Sequence, residues 1–282
     1  MLRPRRSLLF VPASRQGIIP KALAAGADIV CVDLEDAVPI ALKQVSRPAA
    51  LHFLEDWDGS GCERIVRLNS IRTRAGLADL AAFAERPLMH GTLMLPKVES
   101  GEELRIVDRL LTEAGSRLRL AALVESAAGI EAAFHIAGAS GRLDTVMFGG
   151  ADLAAELGAA ASDEVFSYAR ARLVHAARSG GVDAIDVPCL AFRDDEAVRR
   201  ESERACALGF TGKAALHPAN VATINQAFTP APAELEAAQR IVAAYEASGG
   251  AAASLDGQLI EKPILKAAQI TLARGQAAAA AV

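Results

Sequence analysis

Aromatic residues are scarce in this sequence: they make up 4% of its 282 positions, although more than half of the chain is hydrophobic. The apolar bulk therefore comes from aliphatic side chains, and a chain of this length can bury a large core without disulfides. Its four cysteines, Cys31, Cys62, Cys189 and Cys206, are widely scattered and form no CxxC pair. This spacing argues against a zinc site or a redox motif, so we expect free, buried thiols in a reducing cytoplasm.

The sequence also has no excess of basic residues and no long apolar run. Its formal net charge is −4, which argues against a nucleic-acid-binding protein because such proteins carry a basic excess. No stretch approaches 18 uninterrupted apolar residues, so no membrane span is expected. The glycine-containing segment FGGADLAAELG lacks the spacing of the common nucleotide-binding loops. We expect a cytoplasmic protein that binds neither nucleic acid nor membrane.

Eight short apolar runs alternate with longer stretches of helical periodicity. This alternation predicts parallel βα units, and continuously apolar strands are typical of parallel sheets covered by helices. Eight units in a chain of this length favour an α/β fold that closes into a (β/α)₈ TIM barrel rather than an open sheet. The predicted strands are 7–13, 29–35, 64–69, 92–98, 118–125, 144–149, 184–187 and 213–217.

A C-terminal helical appendage is expected after the barrel. We assign residues 1–228 to the barrel and residues 229–282 to the appendage. The appendage is predicted to contain a helix over 233–247, a Gly/Ala/Ser linker over 248–254, the segment LDGQLIEKP and a last helix over 264–274. The alanine-rich tail after that helix is expected to fray.

Polar residues end most of the predicted strands. In this fold the carboxyl ends of the strands carry the active site, and charged groups buried there need a partner or a ligand. Glu125 and Asp152 close adjacent strands, and two neighbouring carboxylates repel each other unless a cation or a proton lies between them. Their oxygens suit Mg²⁺, which keeps part of its water shell. The alternative is that each caps the following helix or pairs with a nearby arginine or lysine.

Arg67 ends the third predicted strand at the same rim. Its planar guanidinium can bind a substrate carboxylate through two hydrogen bonds. A structural salt bridge to Asp33 or Asp36 is an equally good interpretation. For His217, which ends the eighth strand, we favour a structural or ligand-contacting role over that of a general base, because no serine or cysteine nucleophile motif accompanies it.

Nearly the whole chain is covered by nine motifs in a fixed order: RRSLLFVPA, VDLEDAVP, RIVRLNS, LMLPKVES, LVESAAGI, MFGGADLAAELG, GFTGKAALHPANV, NQAFTPAP and LDGQLIEKP. This ordered set resembles the citrate lyase β-subunit-like (CitE-like) group of the HpcH/HpaI aldolase superfamily. The resemblance implies a modified TIM barrel, usually a homotrimer. It also implies a Mg²⁺-dependent carbon–carbon lyase that cleaves or forms 3-hydroxyacyl-CoA thioesters such as malyl-CoA, citramalyl-CoA or citryl-CoA. The partner product is a small keto acid or glyoxylate.

The resemblance further implies roles for individual residues. Glu125 and Asp152 match the two Mg²⁺ ligands of the family. Arg67 matches the arginine that binds the carboxylate of the keto or hydroxy acid. Glu35 and Asp36 match carboxylates that support the water shell of the metal and the arginine.

Three more residues are candidates on the same ground. Asp256 matches a catalytic residue that family members place over the active site of a neighbouring subunit. Arg15 and Lys21, in the first βα loop, are candidate contacts for the phosphates of coenzyme A. The segment around Asp256 reads DGQLIE where the family usually has a DGKMID-like sequence, which leaves the identity of the substrate open.

Other functions are compatible with the same motifs. The protein can be a malyl-CoA-type thioesterase, or a citrate lyase β subunit that acts on an acyl-carrier thioester. A non-catalytic metabolite-binding scaffold is disfavoured, because a scaffold has no need for Glu125, Asp152, Arg67 and Asp256 together.

Overall fold

The computed structural model describes residues 4–249 and 251–280. Contacts divide them into two units, Arg5–Ile224 and the remaining described residues, 4, 225–249 and 251–280. This division falls at 224/225, whereas the expected domain boundary is at 228/229. Gly250 of the predicted linker, and Ala281 and Val282 of the tail, lie outside the described residues.

Eight parallel strands form a closed barrel in chain order. Each predicted strand is present, and the expected fold class is confirmed. Parallel strands are covered on both faces, which explains the continuous apolar runs: every residue of the second and fourth strands is buried. The strands are β1 (Ser7–Pro12), β2 (Ile29–Asp33), β3 (Glu63–Arg67), β4 (Thr92–Leu95), β5 (Arg119–Val124), β6 (Leu143–Phe148), β7 (Asp183–Asp186) and β8 (Gly212–Ala215).

Helices follow each strand and cover the outside of the barrel, as the (β/α)₈ pattern requires. Two short 3₁₀ helices, Gln16–Ile18 and Ile40–Leu42, precede the first two α-helices. The α-helices are α1 (Ile19–Leu23), α2 (Lys43–Glu55), α3 (Arg74–Ala84), α4 (Gly101–Glu113), α5 (Ala127–Glu131), α6 (Ala133–Ala137), α7 (Gly150–Leu157), α8 (Asp163–Gly180), α9 (Asp195–Leu208) and α10 (Asn220–Phe228).

Side chains from successive strands fill the interior of the barrel. The core cluster consists of Leu8, Ile29, Cys31, Ile65, Met94, Ala121, Leu123, Met147, Ile185 and Ala214. No disulfide links the four cysteines, all of which belong to the described chain. Cys31 and Cys189 are buried as expected, whereas Cys62 and Cys206 are only partly buried. The packed interior leaves the carboxyl ends of the strands as the place for a ligand.

The second unit contains α11 (Pro232–Ala247), a hairpin of β9 (Ala253–Leu255) and β10 (Gln258–Ile260), and α12 (Lys262–Ala279). The hairpin was not predicted. The tail was expected to fray after 274, but α12 continues to Ala279 because alanine has the highest helix propensity. Gly275 lies inside this helix, where an added Cβ would come within 2.5 Å of Leu235 on α11. Among the described residues, no single helix is both long enough and apolar enough to cross a bilayer.

Candidate active site at the carboxyl end of the barrel

A cavity of about 870 Å³ lies at the carboxyl ends of the barrel strands. Its volume is within the range of ordinary small-molecule sites. Arg67, Asp36, Glu125 and Asp152 all line it, so side chains from three separate βα units meet there, as the sequence predicted, together with the loop after β2. The barrel thus brings together the residues singled out as carboxylate clamp and metal ligands.

Arg67, the last residue of β3, binds Asp33, the last residue of β2. Nε donates to Oδ1 and Nη2 donates to Oδ2, each at 2.7 Å. The guanidinium carbon lies 5.0 Å from the centroid of the Phe10 ring. Burial works against the charged form of Arg67, but the hydrogen bonds to Asp33 and the charge of Glu35 outweigh it and raise the pKa of Arg67. The salt bridge left open by the sequence is therefore present, and it holds the guanidinium in one plane.

Glu35 and Asp36 follow β2 and face the third nitrogen of the guanidinium. Nη1 of Arg67 lies 3.1 Å from Glu35 Oε2 and 3.9 Å from Asp36 Oδ2. Glu35 is buried, whereas the side chain of Asp36 is largely exposed. Burial raises the pKa of Glu35, and Arg67 opposes that shift. Both carboxylates therefore lie beside the positive charge of Arg67.

Glu125 directly follows β5 and is almost completely buried. Its Oε1 accepts a hydrogen bond of 2.8 Å from the backbone N–H of Lys97. Burial and the charges of Glu35 and Asp152 raise its pKa to about 8. Gly149 provides the room for this side chain, since a Cβ there would lie 2.3 Å from the Cβ of Glu125.

Asp152 lies in the first turn of α7 and not at the end of β6, where the sequence analysis placed it. β6 ends at Phe148, and the helix begins at Gly150. The first turn of a helix favours a carboxylate because its backbone N–H groups carry partial positive charge. Oδ2 of Asp152 lies 3.0 Å from Nζ of Lys97, so this residue makes the lysine pair that was the alternative interpretation.

Lys97 contacts three carboxylates of the site, although the sequence analysis gave it no role. Its N–H binds Glu125, while Nζ lies 3.0 Å from Asp152 Oδ2 and 3.3 Å from Glu35 Oε1. Its φ of 55° is uncommon for a residue with a side chain. Partial burial lowers the pKa of Lys97, but the hydrogen bond to Asp152 and the charge of Glu35 give a net rise.

The oxygen donors of the site suit a hard divalent cation. Five carboxylates of the described chain lie around the side chains of Arg67 and Lys97. Oε2 of Glu35 is buried and makes no hydrogen bond within the described chain; its ion-pair distance to Arg67 lacks hydrogen-bond geometry. The carboxylates belong to Asp33, Glu35, Asp36, Glu125 and Asp152.

A complete metal cage is not formed by protein side chains. Among residues 4–249 and 251–280, no group of three or more acidic, histidine or cysteine side chains has the arrangement of a metal site. Mg²⁺ is commonly bound by one or two carboxylates, with water and substrate oxygens filling its octahedron. Glu125 and Asp152 fit that kind of site.

Arg15, Lys21 and His217 are not among the described residues that line the cavity, and Asp256 belongs to the second unit. Arg15 and Lys21 are exposed after β1, and neither is among the described residues that line the cavity. His217 is exposed and stacks on Phe192, with 6.0 Å between ring centroids, and its Nδ1 accepts from the N–H of Ala219 at 3.2 Å. These contacts are structural.

Asp256 belongs to the second unit and lies in the turn of the β9–β10 hairpin. Its φ is 50° and that of Gly257 is 79°, values typical of a two-residue hairpin turn. The carboxylate of Asp256 accepts a hydrogen bond of 2.6 Å from Nη2 of Arg240 on α11. Both side chains of this pair are more than half exposed.

Two details of the site have little or no sequence signal. Lys97 ends an apolar run, which marks it as a rim residue, but its positive φ cannot be seen in the sequence. Arg72, in the loop after β3, donates to the carbonyl oxygen of Lys97 and to Glu99, and nothing in its spacing predicts those contacts.

Comparison with known proteins identifies the family. Residues 6–218 match the HpcH/HpaI aldolase/citrate lyase family model. The chain is 34% identical to mitochondrial citramalyl-CoA lyase of Rattus norvegicus, covering 96% of this chain and 86% of the relative. It is 38% identical to (3S)-malyl-CoA thioesterase of Cereibacter sphaeroides, covering 98% and 96%.

A solved structure extends this similarity to three dimensions. CitE of Mycobacterium tuberculosis, in complex with magnesium, acetoacetate and coenzyme A, superposes with a TM-score of 0.81 at 32% sequence identity. The match covers 97% of this chain and 98% of the other. The chain therefore belongs to the HpcH/HpaI aldolase/citrate lyase family.

Proposed function

We propose that this protein is a Mg²⁺-dependent lyase that cleaves or forms the carbon–carbon bond of a 3-hydroxyacyl-CoA thioester. The observation that carries the proposal is that Arg67, Glu125 and Asp152 line one cavity. That set provides a carboxylate clamp beside two metal ligands. The names of the relatives support the substrate class, since one acts on citramalyl-CoA and a structural neighbour holds magnesium and coenzyme A.

Glu125 and Asp152 are the residues that would hold Mg²⁺. When bound, the ion supplies Lewis-acid stabilisation to the substrate oxygen that becomes a carbonyl. Because Glu125 is buried, water screens the charge of its carboxylate less, and its attraction for a bound cation is stronger. Gly149 leaves the space that this carboxylate needs.

Arg67 would bind the carboxylate of the keto or hydroxy acid. Asp33 takes the Nε–Nη2 edge of the guanidinium, so the remaining N–H groups on Nη1 and Nη2 are the donors toward a ligand. A fixed guanidinium loses little side-chain entropy when a carboxylate binds. The carboxylates of Glu35 and Asp36 partly neutralise the positive charge of Arg67 around Nη1.

In the cleavage direction, the substrate hydroxyl loses its proton to water and its oxygen becomes the new carbonyl oxygen. The electron pair of the broken carbon–carbon bond stays on the carbon next to the thioester. A proton then goes to that carbon and completes the acyl-CoA product. We assign this proton transfer to Asp256 of a neighbouring subunit in a homotrimer, acting as general acid or, in the reverse direction, as general base.

The phosphates of coenzyme A are assigned to Arg15 and Lys21 within the same proposal, because both are exposed cations in the first βα segment. Replacing both with alanine should raise KM for the acyl-CoA and leave KM for the keto acid unchanged. We also propose that the protein acts in the cytoplasm. The mitochondrial location of the rat relative is a property of that protein.

A substrate panel tests the proposed function. Acetyl-CoA or propionyl-CoA is incubated with glyoxylate, pyruvate or oxaloacetate and Mg²⁺, and thioester products are followed by chromatography and mass spectrometry. At least one pair should give a 3-hydroxyacyl-CoA, and EDTA should stop its formation. The absence of product with every pair, in both reaction directions, would contradict the proposal.

Hydrolysis of malyl-CoA is the second candidate, favoured by the 38% identity to a (3S)-malyl-CoA thioesterase over nearly the full chain. The two reactions give different products from the same thioester. A lyase releases acetyl-CoA and glyoxylate from malyl-CoA, whereas a thioesterase releases free coenzyme A and malate. A thiol reagent added to the malyl-CoA reaction distinguishes them, because only free coenzyme A reacts.

A further inference from the structure

We propose that Lys97 is a tethered cation that competes with the divalent metal for the carboxylates of the site and thereby sets the metal affinity. The inference rests on the proposed function, because it concerns the same Mg²⁺ site. It goes further by assigning the control of that site to a residue that is neither a metal ligand nor a substrate clamp.

The contacts of Lys97 support this role. Nζ lies 3.0 Å from Oδ2 of Asp152 and 3.3 Å from Oε1 of Glu35. An ion bound to Asp152 would lie about 2.1 Å from a carboxylate oxygen. The ammonium and the ion would therefore share Asp152 at a separation of a few ångströms, where two positive charges repel each other.

The backbone of Lys97 holds its side chain at this place. Its N–H donates to Oε1 of Glu125, and its carbonyl oxygen accepts from Nη2 of Arg72. Glu99 in turn binds Arg72. The φ of 55° is a conformation that residues with a side chain rarely adopt, and such conformations persist where surrounding contacts enforce them. One strained residue thus binds one metal-ligand candidate with its backbone and another with its side chain.

The side chain of Lys97 is partly open to solvent, since 40% of its surface is exposed. Lys97 differs in this from Lys213, a fully buried lysine paired with Asp186 and Glu201 elsewhere at the barrel rim. A lysine that is fixed at its backbone and partly exposed along its side chain can neutralise Asp152 and Glu35, then withdraw its ammonium into solvent when a divalent ion binds.

Removal of the charge should strengthen metal binding. In Lys97→Met, Mg²⁺ no longer competes with an ammonium a few ångströms away, so we expect its affinity to rise by roughly tenfold to a hundredfold at low ionic strength. Lys97→Arg keeps the charge and should stay within about threefold of the wild-type affinity. Titration calorimetry of the full chain with MgCl₂ measures all three proteins.

Thermal unfolding gives an independent readout. In EDTA, Lys97→Met should unfold at a lower temperature than wild type, because Glu35 and Asp152 lose their cation. Saturating Mg²⁺ should then raise Tm more in the variant than in wild type. A lysine with only a structural role would lower Tm without strengthening Mg²⁺ binding.

Arg86→Met is the matched control for loss of one positive charge. Arg86 follows α3 and pairs at 2.9 Å with Glu55, the last residue of α2. Helices of the barrel run opposite to the strands, so this pair lies at the other end of the barrel from the site. The Mg²⁺ affinity of the Arg86→Met variant should therefore equal that of wild type.

Failure of this inference and failure of the proposed function look different. Unchanged or weaker Mg²⁺ binding by Lys97→Met, with normal binding by wild type, overturns the role of Lys97. If wild type binds no Mg²⁺, the proposed function itself fails. If Lys97→Met does not fold, the Mg²⁺ affinity of Lys97→Gln is measured instead. Unchanged or weaker Mg²⁺ binding by that variant overturns the role of Lys97 in the same way.

Discussion

The guanidinium of Arg67 and the carboxylate of Asp33 form a two-point ion pair, with both hydrogen bonds 2.7 Å long. Asp33 is fully buried at the end of β2, and the pair joins that strand to β3 in the lining of the cavity. The sequence offered substrate clamp and salt bridge as alternatives for Arg67. The geometry is compatible with both at once, because Asp33 uses one edge of the guanidinium and leaves other N–H groups for a ligand.

Arg67→Lys should lower kcat/KM for cleavage by roughly a hundredfold, since an ammonium cannot hold Asp33 and a substrate carboxylate in one plane. In the synthetic direction, the KM of the keto acid should rise more than the KM of the acyl-CoA. Steady-state kinetics with each substrate varied separately measures the difference.

Arg47→Lys is the control for that experiment. Arg47 binds fully buried Asp79 with a hydrogen bond of 2.7 Å from Nε, and neither residue is among those lining the cavity in the described chain. This change should lower Tm and leave both KM values unchanged. Equal kinetic effects of the two substitutions would contradict the assignment of Arg67.

Gly149→Ala should damage both stability and metal binding. The new Cβ would come within 2.3 Å of the Cβ of Glu125 and 2.8 Å of its Oε2, so the carboxylate must move. Overpacking of this kind typically costs about 1–3 kcal/mol of unfolding free energy. Gly141→Ala meets no atom within 4 Å and should unfold like wild type. Denaturant unfolding and Mg²⁺ titration of both variants test the expectation, and a fully stable Gly149→Ala that binds Mg²⁺ normally would refute it.

The thiols of Cys62 and Cys189 should be poor nucleophiles in the native protein. Burial raises the pKa of Cys62 and that of Cys189 to about 11, so very little thiolate is present at pH 8. Because a raised thiol pKa means less thiolate, alkylation should accelerate as the pH rises toward 11. Pulse labelling with iodoacetamide at pH 8, followed by peptide mass spectrometry, should show about a hundredfold slower reaction than in urea. Similar rates in both states would contradict this expectation.

Asp256 should act on the site of another subunit. Asp152→Asn and Asp256→Asn should each be inactive alone, but mixed oligomers pair an intact barrel with an intact Asp256 from a neighbour. With random mixing, roughly a quarter of the sites should recover activity. Refolding or co-expressing the two variants, followed by the cleavage assay, measures this recovery. Activity absent from the mixture, although mixed oligomers form, would exclude the arrangement.

The barrel was predictable because its signals are local. Each buried parallel strand is a continuous apolar run, and each run is followed by a helix with apolar residues at helical spacing. The motif order then predicted which rim residues meet, and Arg67, Glu125 and Asp152 do line one cavity. Asp152 was expected at the end of the sixth strand because the run MFGGAD gives no sign that the helix already begins at Gly150.

The details that sequence reasoning missed depend on distant contacts or on a weak signal. The conformation of Lys97 is enforced by Glu125 and Arg72, which come from other βα units. The β9–β10 hairpin had a local signal, the Asp-Gly pair at its turn, but its strands are three residues each and stand beside a segment that is typical of a linker.

Mg²⁺ dependence of carbon–carbon cleavage in Asp152→Asn tests the central claim most directly. The substitution keeps the size of the side chain and removes one of the two proposed ligand charges. Turnover of the thioester identified in the substrate panel is measured over a range of Mg²⁺ concentrations for wild type and variant. We predict that wild type saturates with Mg²⁺ and stops in EDTA, and that the variant loses about a thousandfold or more of the rate. Wild-type turnover and Mg²⁺ dependence in Asp152→Asn would contradict the account.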